Sequence, residues 1–285
     1  MRLDGPVARA TRFQWPLDGG SAADLQTLTA QLRDLLVSEG GPLDAAGVAT
    51  PCTLDPSGVV IAWPSRPSWV GVDLRGALEP LLGPRLRFGD DGDLAAAAEA
   101  AEAGAAVLVY LGVGTGIGGG VVLGGRRHPG SLGAAGEIGH VMVRRGGPRC
   151  RCGRRGCLQA TASGPATLAR AAALRGAPVP PEAFAPALEQ GAPWALAALR
   201  RTAAALASAV VTVDELLQPD LIRIGGGFAT GVPQMVPLVR EAAAGLARPG
   251  RPVPTLQPAV FGAMSSLEGA VQLARAADRE PEVVA

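Results

Sequence analysis

Apolar positions along the chain follow two periods, and the places where one gives way to the other sketch an alternation of strands and helices. Residues 2–15 alternate as a strand pair would, turning at Asp4 and Gly5, and Leu25, Leu28, Leu32, Leu35 and Leu36 then recur at helical spacing over 21–38. Short apolar strands are expected at 47–50, stopped by Pro51, and at 58–63. The pattern next predicts a helix over 74–82, closed by Gly83 and Pro84, and another over 94–103, entered through Asp90, Asp91 and Asp93. Acid at a helix entrance is stabilised by free backbone N–H groups and the helix dipole. Farther on, apolar runs at 105–111 and 120–123 flank a glycine-rich stretch, and helices are expected over 165–175, 193–217, 232–247 and 265–277. A buried strand at 221–224 runs into Gly225, Gly226 and Gly227. Strand and helix alternate, which predicts an α/β fold with ligands at strand C-termini.

Composition narrows the function. With 285 residues, 48% of them hydrophobic and 18% charged, the chain can bury a sizeable core and is expected to form two lobes. Its 26 basic residues are spread out and the net charge is +1, so there is no electrostatic footprint for nucleic acid or anionic lipid. A small neutral or modestly charged substrate fits better. The first residues lack the apolar core and small-residue cleavage site of a signal peptide, and a cytoplasmic protein is expected. The uncharged run 103–125 has the length of a membrane helix, but Gly112, Gly114, Gly116, Gly118, Gly119 and Gly120 would destabilise a helix there. Strand, glycine turn, strand suits them.

Three of the four cysteines fall within eight residues. Cys150, Cys152 and Cys157, with His140 upstream, make a Cys₃His set suited to tetrahedral zinc, and Gly153 and Gly156 let the backbone fold tightly between ligands. A disulfide is disfavoured in a reducing compartment. Four protein ligands leave no open position, so the zinc is expected to be structural. Cys52 stands alone and reads as a small buried apolar residue.

Gly136-Glu137-Ile138-Gly139-His140 followed by Cys-x-Cys-Gly-x-x-Gly-Cys-Leu resembles the signature of the ROK family of repressors, unknown open reading frames and sugar kinases. The likeness covers nearly the whole chain, since Val48-Ala49-Thr50-Pro51, Trp69, Asp90-Asp91, 112–120, 137–163 and 225–227 fall in the family's order. It implies a two-lobed actin-like ATPase fold, of the ribonuclease H-like kind, with an inserted structural zinc loop at 140–157. The lobes are drawn at 1–104 and 105–264, with the helix in 265–285 packing back on the first. The implied activity is ATP-dependent phosphorylation of a hydroxyl of a hexose or hexose-like polyol, with magnesium travelling on the ATP phosphates and dimerisation common among relatives.

The resemblance also implies roles for single residues. Gly114, Thr115 and Gly116 lie in a phosphate-binding segment, where glycines let main-chain N–H groups approach phosphate oxygens and the Thr hydroxyl adds a donor. The same stretch matches G-x-G-x-x-G through Gly114, Gly116 and Gly119, but a dinucleotide site needs a helix next and the pattern supplies a strand. Asp91 matches the family's base, its alternative being a plain acidic helix cap. Asp90 stands where family kinases carry Asn, a substrate contact, and Asp93 replaces a second common Asn. Glu137 and His140 match residues that hydrogen-bond sugar hydroxyls, with His140 also a zinc ligand. Gln159 stands where the kinases carry Glu, which together with Asp90 points away from plain glucose toward an amino sugar, a deoxy sugar or a carbocyclic polyol. Gly225, Gly226 and Gly227 match the adenosine-side turn, or form a plain strand-to-helix turn.

The chain also departs from the pattern. Family kinases open with a strand carrying Asp-x-Gly-Gly-Thr, which the resemblance places before Arg2, and no such motif is present. Either the start is misplaced or the protein is a degenerate member, and the chain as written is expected to be a poor kinase of marginal stability. The competing function is a non-catalytic sugar-sensing or partner-binding relative; DNA binding is disfavoured because there is no room for a helix-turn-helix.

Overall fold

The computed structural model describes residues 2–3, 9–16, 20–37, 43–131 and 135–276. The chain divides into two units, one formed by the residues up to Leu94 with the segment from Ser266 onward, the other by Ala95–Ser265.

In the first unit, β1 (Arg2–Leu3) and β2 (Arg9–Ala10) pair antiparallel, as the alternation at 2–15 predicts; the turn expected at Asp4 and Gly5 lies outside the described residues. Next come α1 (Ser21–Val37), β3 (Ala46–Thr50), β4 (Thr53–Leu54), β5 (Val60–Ala62), α2 (Leu74–Leu82) and β6 (Leu86–Asp90). α2 begins where Asp73 caps it, its Oδ1 accepting from Gly76 N at 2.7 Å. Leu74, Leu78 and Leu82 then face a core of Val60, Trp69 and Leu86, against which Leu25, Leu28 and Leu36 of α1 also pack. Asp24 on α1 is fully buried in that core, held by Arg66 and by the indole N–H of Trp69 at 3.0 Å. β3 and β6 run parallel with Thr50 beside Asp90, and α3 (Asp91–Ala103) follows β6 without a break.

The second unit is built on a five-stranded sheet of β7 (Leu108–Val113), β8 (Ile117–Leu123), β9 (Arg126–Arg127), β10 (Leu221–Gly225) and β11 (Leu256–Pro258). Its order is β11-β10-β7-β8-β9, with β7, β10 and β11 parallel and the β7-β8-β9 pairings antiparallel. The uncharged run 103–125 is therefore largely a hairpin. Ala95, Ala96 and Ala100 of α3 pack on Leu108, Tyr110, Val122 and Leu221 of the sheet, and α4 (Leu158–Ala162), α5 (Gly164–Arg175), α6 (Pro181–Glu189), α7 (Pro193–Leu217), α8 (Gly227–Thr230) and α9 (Met235–Ala244) belong to the same unit. α7 is long and apolar enough to cross a membrane by length and composition, yet Ala198, Leu199, Leu206 and Val210 on it are fully buried in the same core as Ile222 and Val239. Finally, α10 (Ser265–Ala276) belongs with the first unit beyond its first residue, where Gly269 lies so near Leu94 that a side chain there would strike the Leu94 carbonyl.

Candidate active site

The acidic turn sits at the end of β6. Asp90 Oδ1 accepts from Gly92 N at 2.9 Å and Asp93 N at 3.1 Å, so Asp90 caps α3 and the helix starts at Asp91, three residues before the apolar pattern begins. Burial pushes the Asp90 carboxyl above its usual range, against the pull of those two N–H groups. Asp91 is the first helical residue, where the helix dipole favours its charge. Cys52 is buried, as expected; burial raises its thiol pKa, and the charges of Asp90 and Asp91 add to the effect.

In the second unit the glycine segments converge. Val113 pairs with Ile117, which leaves Gly114, Thr115 and Gly116 as a three-residue hairpin loop closed by Gly114 N to Gly116 O at 2.9 Å. Thr115 is exposed at its tip. On the parallel neighbour, Gly225 pairs with Gly112, so the turn through Gly225, Gly226 and Gly227 leaves the sheet beside that loop. Gly226 adopts a left-handed φ of 84°, and a Cβ on it would stand 2.7 Å from the Val113 N and O atoms. Two lengths of backbone thus lie in contact at the C-terminal edge of β7 and β10, the edge where open α/β sheets bind ligands. Two bonds hold the loop from its other side: Gly164 N donates to Gly114 O at 2.9 Å, and Gln159 Oε1 accepts from Ile117 N at 3.1 Å.

Glu137 leads into a single helical turn, 138–140, that packs on β8 so closely that a Cβ on Gly139 would collide with the Ile117 carbonyl. The turn fixes the His140 ring. Its Nδ1 stands 3.7 Å from Cys150 Sγ, and its Nε2 stands 3.9 Å from Glu137 Oε2. Cys152 and Cys157 Sγ atoms are 3.7 Å apart, and all four ligand atoms of His140, Cys150, Cys152 and Cys157 lie within 4.8 Å of one another. Tetrahedral zinc with bonds of about 2.0–2.3 Å separates its ligand atoms by about 3.6–3.8 Å, so the cluster fits that ion. The loop backbone is tied by Cys150 N to Arg154 O at 2.8 Å and Gly156 N to Pro148 O at 2.9 Å. The Arg154 N–H lowers the exposed Cys152 thiol to about 6, whereas burial, then its thiol neighbours, raise Cys157 to about 11. Cys157 immediately precedes α4, the helix that carries Gln159.

The second unit therefore gathers the four cysteine and histidine ligands, Glu137, Gln159 and both glycine turns, while Asp90 and Asp91 adjoin one another in the first. A further buried carboxylate carries no signal in the sequence pattern. Glu99 of α3 is fully buried and accepts from Val260 N at 3.0 Å, Phe261 N at 3.1 Å and Ser265 Oγ at 2.8 Å. That segment carries Gly262, whose carbonyl lies 3.5 Å from Gly226 N.

Known proteins resemble this chain along most of its length. A kanosamine kinase of Amycolatopsis mediterranei (strain S699) is 50% identical over 265 residues, covering 93% of this chain and 88% of its own. A glucokinase of Thermotoga maritima is 32% identical over 246 residues, covering 79% and 76%. Among solved structures, a ROK family glucokinase from Streptomyces griseus in complex with glucose and AMPPNP superposes with a TM-score of 0.79 at 25% identity, covering 90% of this chain and 88% of that one. The fold is accordingly the two-lobed actin-like ATPase fold of those kinases. The ROK family model matches residues 25–277, which takes in both glycine turns, the acidic turn and the cysteine loop: this chain belongs to the ROK family.

Proposed function

We propose that the chain is an ATP-dependent sugar kinase whose substrate is a hexose bearing an amino group. The observation that carries this reading is the pairing of Gly112 with Gly225, which lays two backbone turns side by side at the edge of the sheet, next to the loop holding Glu137 and His140. The 50% identity to a kanosamine kinase supports the amino sugar, and Asp90 supplies a carboxylate that can face an ammonium group.

In the phosphate loop of Gly114, Thr115 and Gly116, Thr115 and Gly116 present N–H and O–H donors to the ATP phosphates while the Gly114 N–H closes the loop, and Gly225, Gly226 and Gly227 line the adenosine side. Magnesium would be carried by the nucleotide and would offset the charge of its phosphates. Glu137 and His140 Nε2 are the proposed sugar contacts of the second unit, and Asp90 that of the first. Asp91 accepts the proton of the attacking hydroxyl and aims its oxygen in line with the γ-phosphorus. The new bond joins that oxygen to the γ-phosphorus, the bond from the γ-phosphorus to the β,γ-bridging oxygen breaks, and ADP leaves with the electron pair. A zinc ion held by His140, Cys150, Cys152 and Cys157 would fix the loop, and with it the His140 ring. Such a reaction belongs in the cytoplasm, where ATP is made, and needs neither nucleic acid nor membrane.

The test is ADP release from Mg·ATP with kanosamine, glucose and N-acetylmannosamine, each repeated with Asp91→Asn. Turnover that is fastest with kanosamine and lost in the variant is expected. Saturable sugar binding with no turnover on any of the three would replace the kinase by a sugar sensor.

A further inference from the structure

Gln159 is the second residue of α4, and Cys157 caps that helix. Its side-chain carbonyl accepts the N–H of Ile117 at 3.1 Å, and Ile117 is only 3% exposed. A buried backbone N–H has no water to turn to, so the amide is what satisfies it. The loop is shaped to match. A Cβ on Gly116 would stand 2.6 Å from Gln159 Oε1, with only the amide carbon besides within 4 Å, at 3.5 Å. The Gly116 backbone is not left-handed, so an alanine would suit it in every respect except this amide. Gly164, two residues after α4, holds the other end of the loop through Gly114 O.

We infer that Gln159 is a positioning residue for the nucleotide: its carbonyl holds the loop of Gly114, Thr115 and Gly116 in the shape that receives phosphate oxygens. This rests on the kinase reading above and gives Gln159, which the family resemblance aligns with a sugar contact, a different role. As a sugar contact alone, the side chain would govern sugar affinity. As a brace it governs nucleotide affinity, and it links the cysteine loop to the phosphate loop through the three residues Cys157, Leu158 and Gln159. A carboxylate at 159 keeps the acceptor that the brace requires, whereas an apolar side chain of the same length does not.

The experiment is calorimetric titration of the full chain with Mg·ADP, alongside steady-state KM values for sugar and ATP, for Gln159→Met, Gln159→Glu, Gly116→Ala and the double variant Gln159→Met/Gly116→Ala. Met removes the acceptor at nearly constant volume, and Glu retains it. Gln159→Met is expected to bind Mg·ADP on the order of ten-fold more weakly with the sugar KM unchanged, and Gln159→Glu to stay within about three-fold of the unaltered protein. Gly116→Ala should match Gln159→Met, because its methyl displaces the same amide, and the double variant should be no weaker than either single one. Full Mg·ADP affinity in Gln159→Met with a raised sugar KM overturns the inference and leaves a sugar contact. Additive losses in the double variant overturn it as well, since Gly116 would then act on the phosphates by itself. Absence of Mg·ADP binding by the unaltered protein takes down the kinase reading and the inference together. Should Gln159→Met fail to fold, Gly116→Ala and Gln159→Glu decide the matter, with weak binding in the first and near-normal binding in the second supporting the brace.

Discussion

Glu99 and Ser265 are joined by a 2.8 Å hydrogen bond in the interior of the second unit, with the Ser265 hydroxyl as donor. The same carboxylate receives the N–H groups of Val260 and Phe261 and lies 3.6 Å from Arg223 Nε. It thereby fastens α3, the helix that begins with Asp91, to the segment flanking Gly226. Removing it would leave the N–H groups of Val260 and Phe261 without their acceptor and take one of two carboxylates from beside Arg223, which keeps Glu102 at 2.9 Å. Glu99→Ala is expected to lose about 3 kcal/mol of stability in urea unfolding, with Glu99→Gln losing roughly half as much because the amide oxygen can still accept. Equal stability of Glu99→Ala and the unaltered chain would show that the clamp carries no load.

That residue marks where the sequence stops being readable. Glu99 sits in an alanine-rich helix, and a lone Glu in such a run reads as solvent-facing; its three partners lie more than 160 positions away. β6 was hidden for a similar reason, since Leu86-Arg87-Phe88-Gly89-Asp90 is short and half polar and becomes a strand through its parallel pairing with β3. By contrast, α2 and α7 have the bounds that periodicity predicts, because their start signals, a capping Asp73 and Pro193, are local. Gly112, Gly118 and Gly119, which the pattern assigns to the turn, belong to the β7–β8 ladder and leave only three residues for the loop. The cysteine loop was legible because ligand chemistry and spacing reside within one short segment; the bond from Gln159 to Ile117, 42 positions apart, was not.

Asp91→Asn tests the base. The amide keeps the size and helix-entrance position but cannot take the hydroxyl proton. Steady-state kinetics should show kcat lowered by about 10²–10⁴-fold with the sugar KM nearly unchanged. A comparable rise in KM with kcat preserved would assign Asp91 to sugar binding instead.

Metal analysis of the purified chain should find one zinc per molecule. Cys157 is fully buried and precedes α4 directly, so Cys157→Ala should abolish zinc retention and lower the Tm, as should treatment of the unaltered chain with a strong chelator. Restoration of the Tm by added zinc in the chelated protein, but not in Cys157→Ala, separates metal loss from damage to packing. A chelator that strips zinc without moving the Tm would deny the ion a structural role.

Asp90 joins two opposing demands in one side chain. Its Oδ1 caps α3, which an asparagine would do equally well, yet burial holds its carboxyl pKa above the ordinary 3.8. A group whose folded pKa exceeds its unfolded one binds its proton more tightly in the folded chain, so its ionisation costs stability. That cost is absent below the unfolded value of 3.8, grows as pH climbs through the raised folded value, and is constant beyond it. Asp90→Asn should therefore melt higher than the unaltered chain at pH 7, and the gain should vanish as pH falls below the ordinary carboxylate range. The charge is retained at this cost if it faces a cationic substrate. In the same variant, kcat/KM should fall by on the order of ten-fold for kanosamine while that for glucose holds or rises, because only the ammonium loses a partner. A gain in Tm with equal losses on both sugars would mean that Asp90 shapes the helix entrance without reading the amino group, and a lower Tm at pH 7 would mean that a cation of the protein already faces it.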